Sequence, residues 1–255
     1  MMPHLRIAIL TYNAIEFSVR CLKSLADHTK LHHDICVLDN GSEDGTRDWL
    51  IGRHASNERI LLSPINLGVP KGRNVLLADI IQRSGGDDLI VFLDNDTEVL
   101  NGWHDPFLDL FVEKKDVAIA GVTGHRINIL EDRRELLPSP DTGPTEVDVV
   151  SGYCLWVRAS VARVLGPFDE NLGQFWHEDD DYCVRANSLG YRVFALPDAS
   201  IIHHGHKSRV VELDPIETEY NSLRNQHYLV QKWRHFGFVD ESGGIRRATK
   251  FSGTE

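Results

Sequence analysis

The sequence lacks any long apolar run. Its aliphatic stretches end after a few residues, so no transmembrane helix is expected. Residues 1–10 have neither a basic flank nor a long apolar core, so a signal peptide is not expected either. Positive charge is scarce. Lys and Arg total 27 against 38 Asp and Glu, a net charge of −11 that disfavours general binding to a phosphate backbone and leaves no nucleic-acid partner expected. Only four cysteines occur, Cys21, Cys36, Cys154 and Cys183, none in a C-x-x-C pair. Reduced thiols in a cytoplasmic protein follow from that, and zinc bound through these four does not. There is no internal repeat and no clear linker. What remains is an ordinary globular composition, 42% apolar and 25% charged over 255 residues. We expect one composite domain over residues 1–236, divided at about 100 and 210 and ending in a helix from 211, then a flexible tail over 237–255.

The first hundred residues alternate strand and helix. Strands are expected at 5–10, 35–38, 59–62 and 89–93, and helices at 15–26, 44–51 and from the 66–72 loop through 81. That alternation predicts βαβ units, a mostly parallel Rossmann-like sheet and helices on both faces. Ligands of such sheets bind beyond the carboxyl ends of the strands, which directs attention to the loops after Leu10, Leu38 and Leu93. Farther on, 117–122, 147–157, 192–195 and 200–203 read as strands, and 179–189 and 216–236 as helices. The segment 133–145, rich in proline and charge, reads as a mobile loop that orders when substrates bind.

Four groups of residues can carry chemistry. Asp94 and Asp96, one residue apart after the most hydrophobic strand, suit a hard cation such as Mg²⁺ or Mn²⁺. His177, Glu178, Asp179, Asp180 and Asp181 follow Phe175 and Trp176, so a carboxylate there can sit in a partly desolvated pocket and act as a base. His203, His204 and His206 can complete a metal site that carboxylates begin. Asn66, Gly68, Lys71, Gly72 and Arg73 combine small residues with cations at a helix start, where a diphosphate binds well. Asp39, in the Asp39-Asn40-Gly41-Ser42 turn, can accept from a nucleobase N–H.

Taken in order, these segments resemble the family 2 glycosyltransferases of the GT-A fold, especially bacterial sugar transferases of the rhamnosyltransferase-like kind. The resemblance runs through residues 9–13, 37–46, 66–74, 92–96, 151–155, 166–170, 178–185 and 197–208, and spans about residues 6–208. It implies a nucleotide-sugar donor bound by the N-terminal half through Thr11, Asn13, Asp39, Asn66, Gly68, Arg73 and Asp94. It implies metal ligation by Asp94, Asp96 and His203, with His204 the runner-up. It implies Asp179 as general base with Glu178 beside it, while Asp180 stands where relatives usually carry an apolar residue and is expected to be a solvated helix-start carboxylate. Gly152, Tyr153, Trp156 and Trp176 are expected on the acceptor side.

The activity implied is inverting, metal-dependent transfer from a dTDP- or UDP-sugar to a saccharide, lipid-linked or small-molecule hydroxyl acceptor, in cell-surface polysaccharide or glycoconjugate synthesis. A cytoplasmic enzyme follows, peripheral at the inner membrane face if the C-terminal helix meets the membrane surface, and able to self-associate. The alternatives are a metal-dependent nucleotidyltransferase, which would show a basic glycine-rich loop after the first strand, and a non-catalytic sugar-nucleotide-binding protein, which would not need Asp179.

Overall fold

The computed structural model describes residues 3–53, 55–129, 133–137, 143–197, 199–205 and 215–248. The first half is β1 (Leu5–Thr11), α1 (Ile15–His28), β2 (His33–Asn40), α2 (Thr46–Ile51), β3 (Glu58–Ser63), α3 (Val69–Ile81) and β4 (Leu89–Asp94). There follow β5 (Thr97–Val99), α4 (Asp105–Glu113), β6 (Val117–Gly121), β7 (Gly124–Asn128), β8 (Arg133–Leu137), β9 (Thr145–Val147), β10 (Val149–Val150), β11 (Cys154–Arg158), α5 (Ala159–Leu165), α6 (Glu178–Ser188), β12 (Arg192–Ala195), β13 (Ile201–His203) and α7 (Pro215–His235).

The central sheet has eight strands in the order β3-β2-β1-β4-β11-β6-β12-β9. β3, β2, β1 and β4 run parallel, β12 runs parallel to β6, and β11 is antiparallel to both β4 and β6. The alternation along each buried strand divides the core into two layers. Ile7, Ile9, Val91 and Leu93 pack with α1 and α4, whereas Ala8, Ile90 and Phe92 pack with α3, α5 and α6. Helices therefore cover both faces, which is why β4 reads as an unbroken apolar run.

This topology makes the site. The chain moves outward from β1 to β3 and then returns to β4 on the other side of β1, so a switch point opens between β1 and β4. In register, Thr11 pairs with Asp39 and Leu10 with Asp94, which puts both aspartates on one edge of the sheet. β11 begins opposite Leu93, so the turn before it, residues 151–153, lies over that same edge.

Several expectations need correction. The run 147–157 is three strands in two sheets, because the 151–153 turn interrupts it. Residues 133–137 form β8, paired antiparallel with β7, rather than part of a loop; 138–142 lie outside the described residues. The expected tail is packed as far as 248: Val239 is buried, Ile245 bridges it, and Arg247 donates to Asp148 at 2.8 Å. Residues 249–255, like His206, Ser208 and Asp198, lie outside the described residues. The sequence reading missed α4 and α5. It also missed β5 and its pairing with β13, which lies within the expected strand 200–203; each has only three residues.

α7 is fastened to the turn before α6. The Asp169 carboxylate accepts from Lys232 Nζ at 2.7 Å and from the Tyr228 hydroxyl at 2.9 Å. Burial pushes its pKa up, but the bonds from Lys232, the Asn171 N–H and Tyr228 outweigh that and hold it at about 2. A carboxyl depressed in the folded state adds stability above its unfolded pKa, near 3.9, and loses it as the pH falls from there toward about 2. Asp169→Asn should therefore melt below the parent protein at pH 6, and the gap should narrow as the pH is lowered from 5 to 3. A gap independent of pH in thermal melts would contradict this assignment.

Candidate active site

At the carboxyl end of β4 the chain turns so that Asn95 points inward, donating to Thr11 Oγ1 at 3.3 Å and Ser18 Oγ at 3.0 Å. Its neighbours Asp94 and Asp96 thereby share the outer side. The β5–β13 pairing then delivers the histidine: His203 is in register with Thr97, directly after Asp96. One ligand atom from each of Asp94, Asp96 and His203 lies within 4.8 Å of the others, and His203 Nε2 is 3.3 Å from Asp96 Oδ1. Two carboxylates and an imidazole suit Mg²⁺ or Mn²⁺. His204 turns away, bonding Glu98 Oε1 at 2.6 Å beside Arg20, so His203 rather than His204 joins the aspartates.

Arg73 is not an open phosphate cation. It is 3% exposed, beside the touching rings of Phe92 and Phe168, and donates to Asp94 Oδ1 at 3.2 Å, Gly152 O at 2.9 Å and Glu178 Oε1 at 3.1 Å. Burial works against its charge, but Glu178, Asp94 and Asp179 outweigh that and raise its pKa above the ordinary arginine value. A Cβ at Gly152 would come within 2.7 Å of Arg73 Nη1, so only glycine lets the turn lie on the guanidinium. The exposed cation of that loop is Lys71.

The acidic run splits into four environments at the start of α6. Glu178 is buried on Arg73, and Asp181 is buried against Arg185 and Lys232. Asp180 is not a solvated carboxylate: it is buried and bonds His177 Nδ1 at 2.7 Å. Asp179 is half-buried; its Oδ2 accepts the Gly152 N–H at 2.7 Å and its Oδ1 the Asp180 N–H at 3.0 Å. Trp176 and His177, at φ 80° and 70°, hold the left-handed conformation that aims this helix start. The sequence reading missed what supports them. Asn225 of α7, buried, donates to the carbonyls of Leu172, Phe175 and Trp176 at 2.7, 2.9 and 3.1 Å. Its signal was a polar residue on the same helix face as Leu229 and Trp233.

The remaining expectations divide. Asp39 is fully buried; Oδ1 accepts from Ser42 N–H at 3.3 Å, while Oδ2 has no hydrogen-bond donor among the described residues and faces Arg47 Nη1 at 3.6 Å. Asn13 ties two site loops together, its N–H to Ser42 Oγ and its Oδ1 to the Glu43 N–H, both at 2.8 Å. The Thr11 hydroxyl is enclosed with Ser18 at 2.7 Å and so is structural. Asn66 Oδ1 accepts from Gly68 N–H at 2.9 Å and Asn40 Nδ2 at 3.0 Å, which shapes the loop rather than presenting a donor-binding group. Gly68 has φ 80° and lies against Gly173 O, 2.8 Å from where a Cβ would stand. Trp156 does not face an acceptor. It is fully buried between Phe107 and Trp103, because its place on β11 turns it to the α4 side. Tyr153 is half-buried and stacks on His203. Beyond Asp180, a cavity of about 280 Å³ is lined by Ile127, His177, Asp180, Ser222, Leu229 and Trp233, among others.

The chain is 24% identical over 268 residues to the N-acetylglucosaminyl-diphospho-decaprenol L-rhamnosyltransferase of Mycobacterium tuberculosis, covering 92% of this chain and 86% of that protein. It is 26% identical over 224 residues to glycosyltransferase AglE of Haloferax volcanii, covering 79% of this chain and 67% of that one. Among solved structures, GalNAc-T7 with UDP, GalNAc and Mn²⁺ superposes at a TM-score of 0.72 and 12% identity over 91% of this chain, which spans about half of that structure (48%). The mannosyltransferase PcManGT of Pyrobaculum calidifontis, in complex with GDP-Man and Mn²⁺, gives 0.62 at 14% identity, covering 95% of this chain and 66% of that one. These likenesses show the expected GT-A-type α/β fold. Residues 6–165 match the family described as Glycosyl transferase family 2, and with more than half of its length so matched the chain belongs to that family of glycosyltransferases.

Proposed function

We propose that the protein transfers a sugar from a nucleoside-diphosphate donor to a hydroxyl acceptor with inversion at the anomeric carbon. The observation that carries this reading is the convergence of Asp94, Asp96 and His203 on one side of Arg73, with Glu178 and Asp179 on the other. Asp39 Oδ2, buried and without a hydrogen-bond donor among the described residues, supports Asp39 as the acceptor from the donor's base. Asp94, Asp96 and His203 hold the divalent cation, Mg²⁺ or Mn²⁺, which when bound supplies positive charge where the leaving diphosphate gains negative charge. Asp179 takes the acceptor's proton. A sugar hydroxyl is a weak nucleophile until a positioned base removes that proton, and Asp179 is the half-buried member of an acidic run whose other three carboxylates are buried on cations or on His177. One base opposite one leaving group gives direct displacement.

The name of the rhamnosyltransferase relative supports an L-rhamnosyl donor and a lipid-linked saccharide acceptor. We take the nucleotide to be dTDP, with UDP-sugars the next candidates. No helix among the described residues is long and apolar enough to cross a membrane. A lipid-linked acceptor is what supports a peripheral position at the inner membrane face.

A donor panel scored for released nucleoside diphosphate tests the reading. EDTA should abolish turnover and added Mg²⁺ or Mn²⁺ restore it; full activity of verified metal-free protein would exclude the cation from the reaction. Asp179→Asn keeps the bond to Gly152 but loses the basic oxygen. Turnover should fall about 10²–10⁴-fold, the usual worth of a positioned general base, while donor affinity by calorimetry stays within a few-fold. Near-normal turnover would remove Asp179 from the chemistry.

A further inference from the structure

The imidazole beside the two aspartates does not stand alone. The ring of Tyr153 lies face to face with that of His203, with centroids 4.2 Å apart and planes inclined by 7°. The tyrosine is itself fixed at both ends. Its hydroxyl shares a 2.8 Å hydrogen bond with Thr123 Oγ1. Its carbonyl accepts the Asp94 N–H at 3.0 Å and the Thr97 hydroxyl at 3.5 Å. One residue therefore touches both sides of the Asp94-Asn95-Asp96 turn and covers the imidazole.

We propose that Tyr153 is a positioning residue for the metal centre, acting through His203 rather than on the acceptor. This rests on the reading of Asp94, Asp96 and His203 as the cation site. β13 is only three residues long and ends at His203, so strand pairing fixes the histidine's backbone but leaves its side chain to turn. A parallel aromatic face 4.2 Å away restricts χ2 to the orientation that faces Asp96. Coordination draws electron density from an imidazole, and an electron-poor ring stacks better on the electron-rich phenol, so the contact strengthens when the cation binds. Hydrogen-bonded groups that orient a ligating histidine contribute about 10–100-fold to metal affinity, and a stacked ring that fixes the same torsion is expected to act on that scale. Thr123 sets the pitch of the tyrosine ring and contributes through it.

Mn²⁺ alone is the probe, titrated into the full chain and followed by the loss of the free-ion EPR signal, with each variant checked by thermal melting. Tyr153→Leu should weaken Mn²⁺ binding about 10–100-fold. Tyr153→Phe, which keeps the ring, should lose no more than about three-fold, as should Thr123→Val. In a His203→Ala background Tyr153→Leu should cost nothing further, because the residue it acts through is gone. If Tyr153→Leu does not fold, Tyr153→Met, which also removes the aromatic face, is read in its place with the same expected loss and in the same His203→Ala background. Unchanged Mn²⁺ affinity in Tyr153→Leu, or an equal loss with and without His203, would overturn the proposal. Asp96→Ala separates the two readings: if it leaves Mn²⁺ binding intact, the cation site itself is misassigned, whereas its loss together with an intact Tyr153→Leu sinks only the role of Tyr153.

Discussion

The Arg73 guanidinium is the constraint on which the site depends. It lies against two aromatic rings and out of water, where a lone cation would be several kcal/mol too costly to keep. Asp94, the Gly152 carbonyl and Glu178 offset that cost, and so are held in mutual position. These three come from β4, from the turn before β11 and from the start of α6, segments far apart in the chain. Removing one partner of a buried pair costs about 3–5 kcal/mol, so the three segments resist moving independently. The same contact explains why Gly152 has no side chain and why its N–H is left to meet Asp179.

Around that hub, the sheet and α7 supply rigidity in different ways. Parallel pairing of β1 with β2 and β4 sets Asp39 and Asp94 on one edge without any side-chain bond between them. The acidic helix start needs more, because Trp176 and His177 hold left-handed backbone that costs energy. α7 stabilises it through Asn225 on three carbonyls, with Lys232 and Trp233 on Asp181. The C-terminal helix is therefore part of the site's scaffold although it lies beyond the family-matched residues.

The parallel half was legible because its strands are apolar on both faces and its turns carry Asn, Asp and Gly. The Asp94-Asn95-Asp96 turn, the acidic run and the histidine pair could be seen as chemistry from residue type alone. What could not be seen was direction. Arg73 reads as a phosphate cation until its burial is known, and Trp156 as an acceptor platform until the β11 register turns it into the core. Asp180 reads as solvated because nothing in the spacing shows that His177 folds back on it. The ribbon that brings His203 to Asp96 is too short to leave a periodicity, and β8 is masked by the charges of Arg133, Arg134 and Glu135.

The central claim is that Arg73 couples the cation side of the site to the base side. Arg73→Lys keeps the charge but loses the fork that reaches three acceptors at once. Its turnover, measured with donor and Mn²⁺ both saturating on protein shown to be folded, tests this most directly. The account predicts a defect that persists at saturation, because the Glu178–Asp179 side has lost its register with Asp94. A defect that disappears at saturation would reduce Arg73 to a donor-binding residue and contradict the coupling.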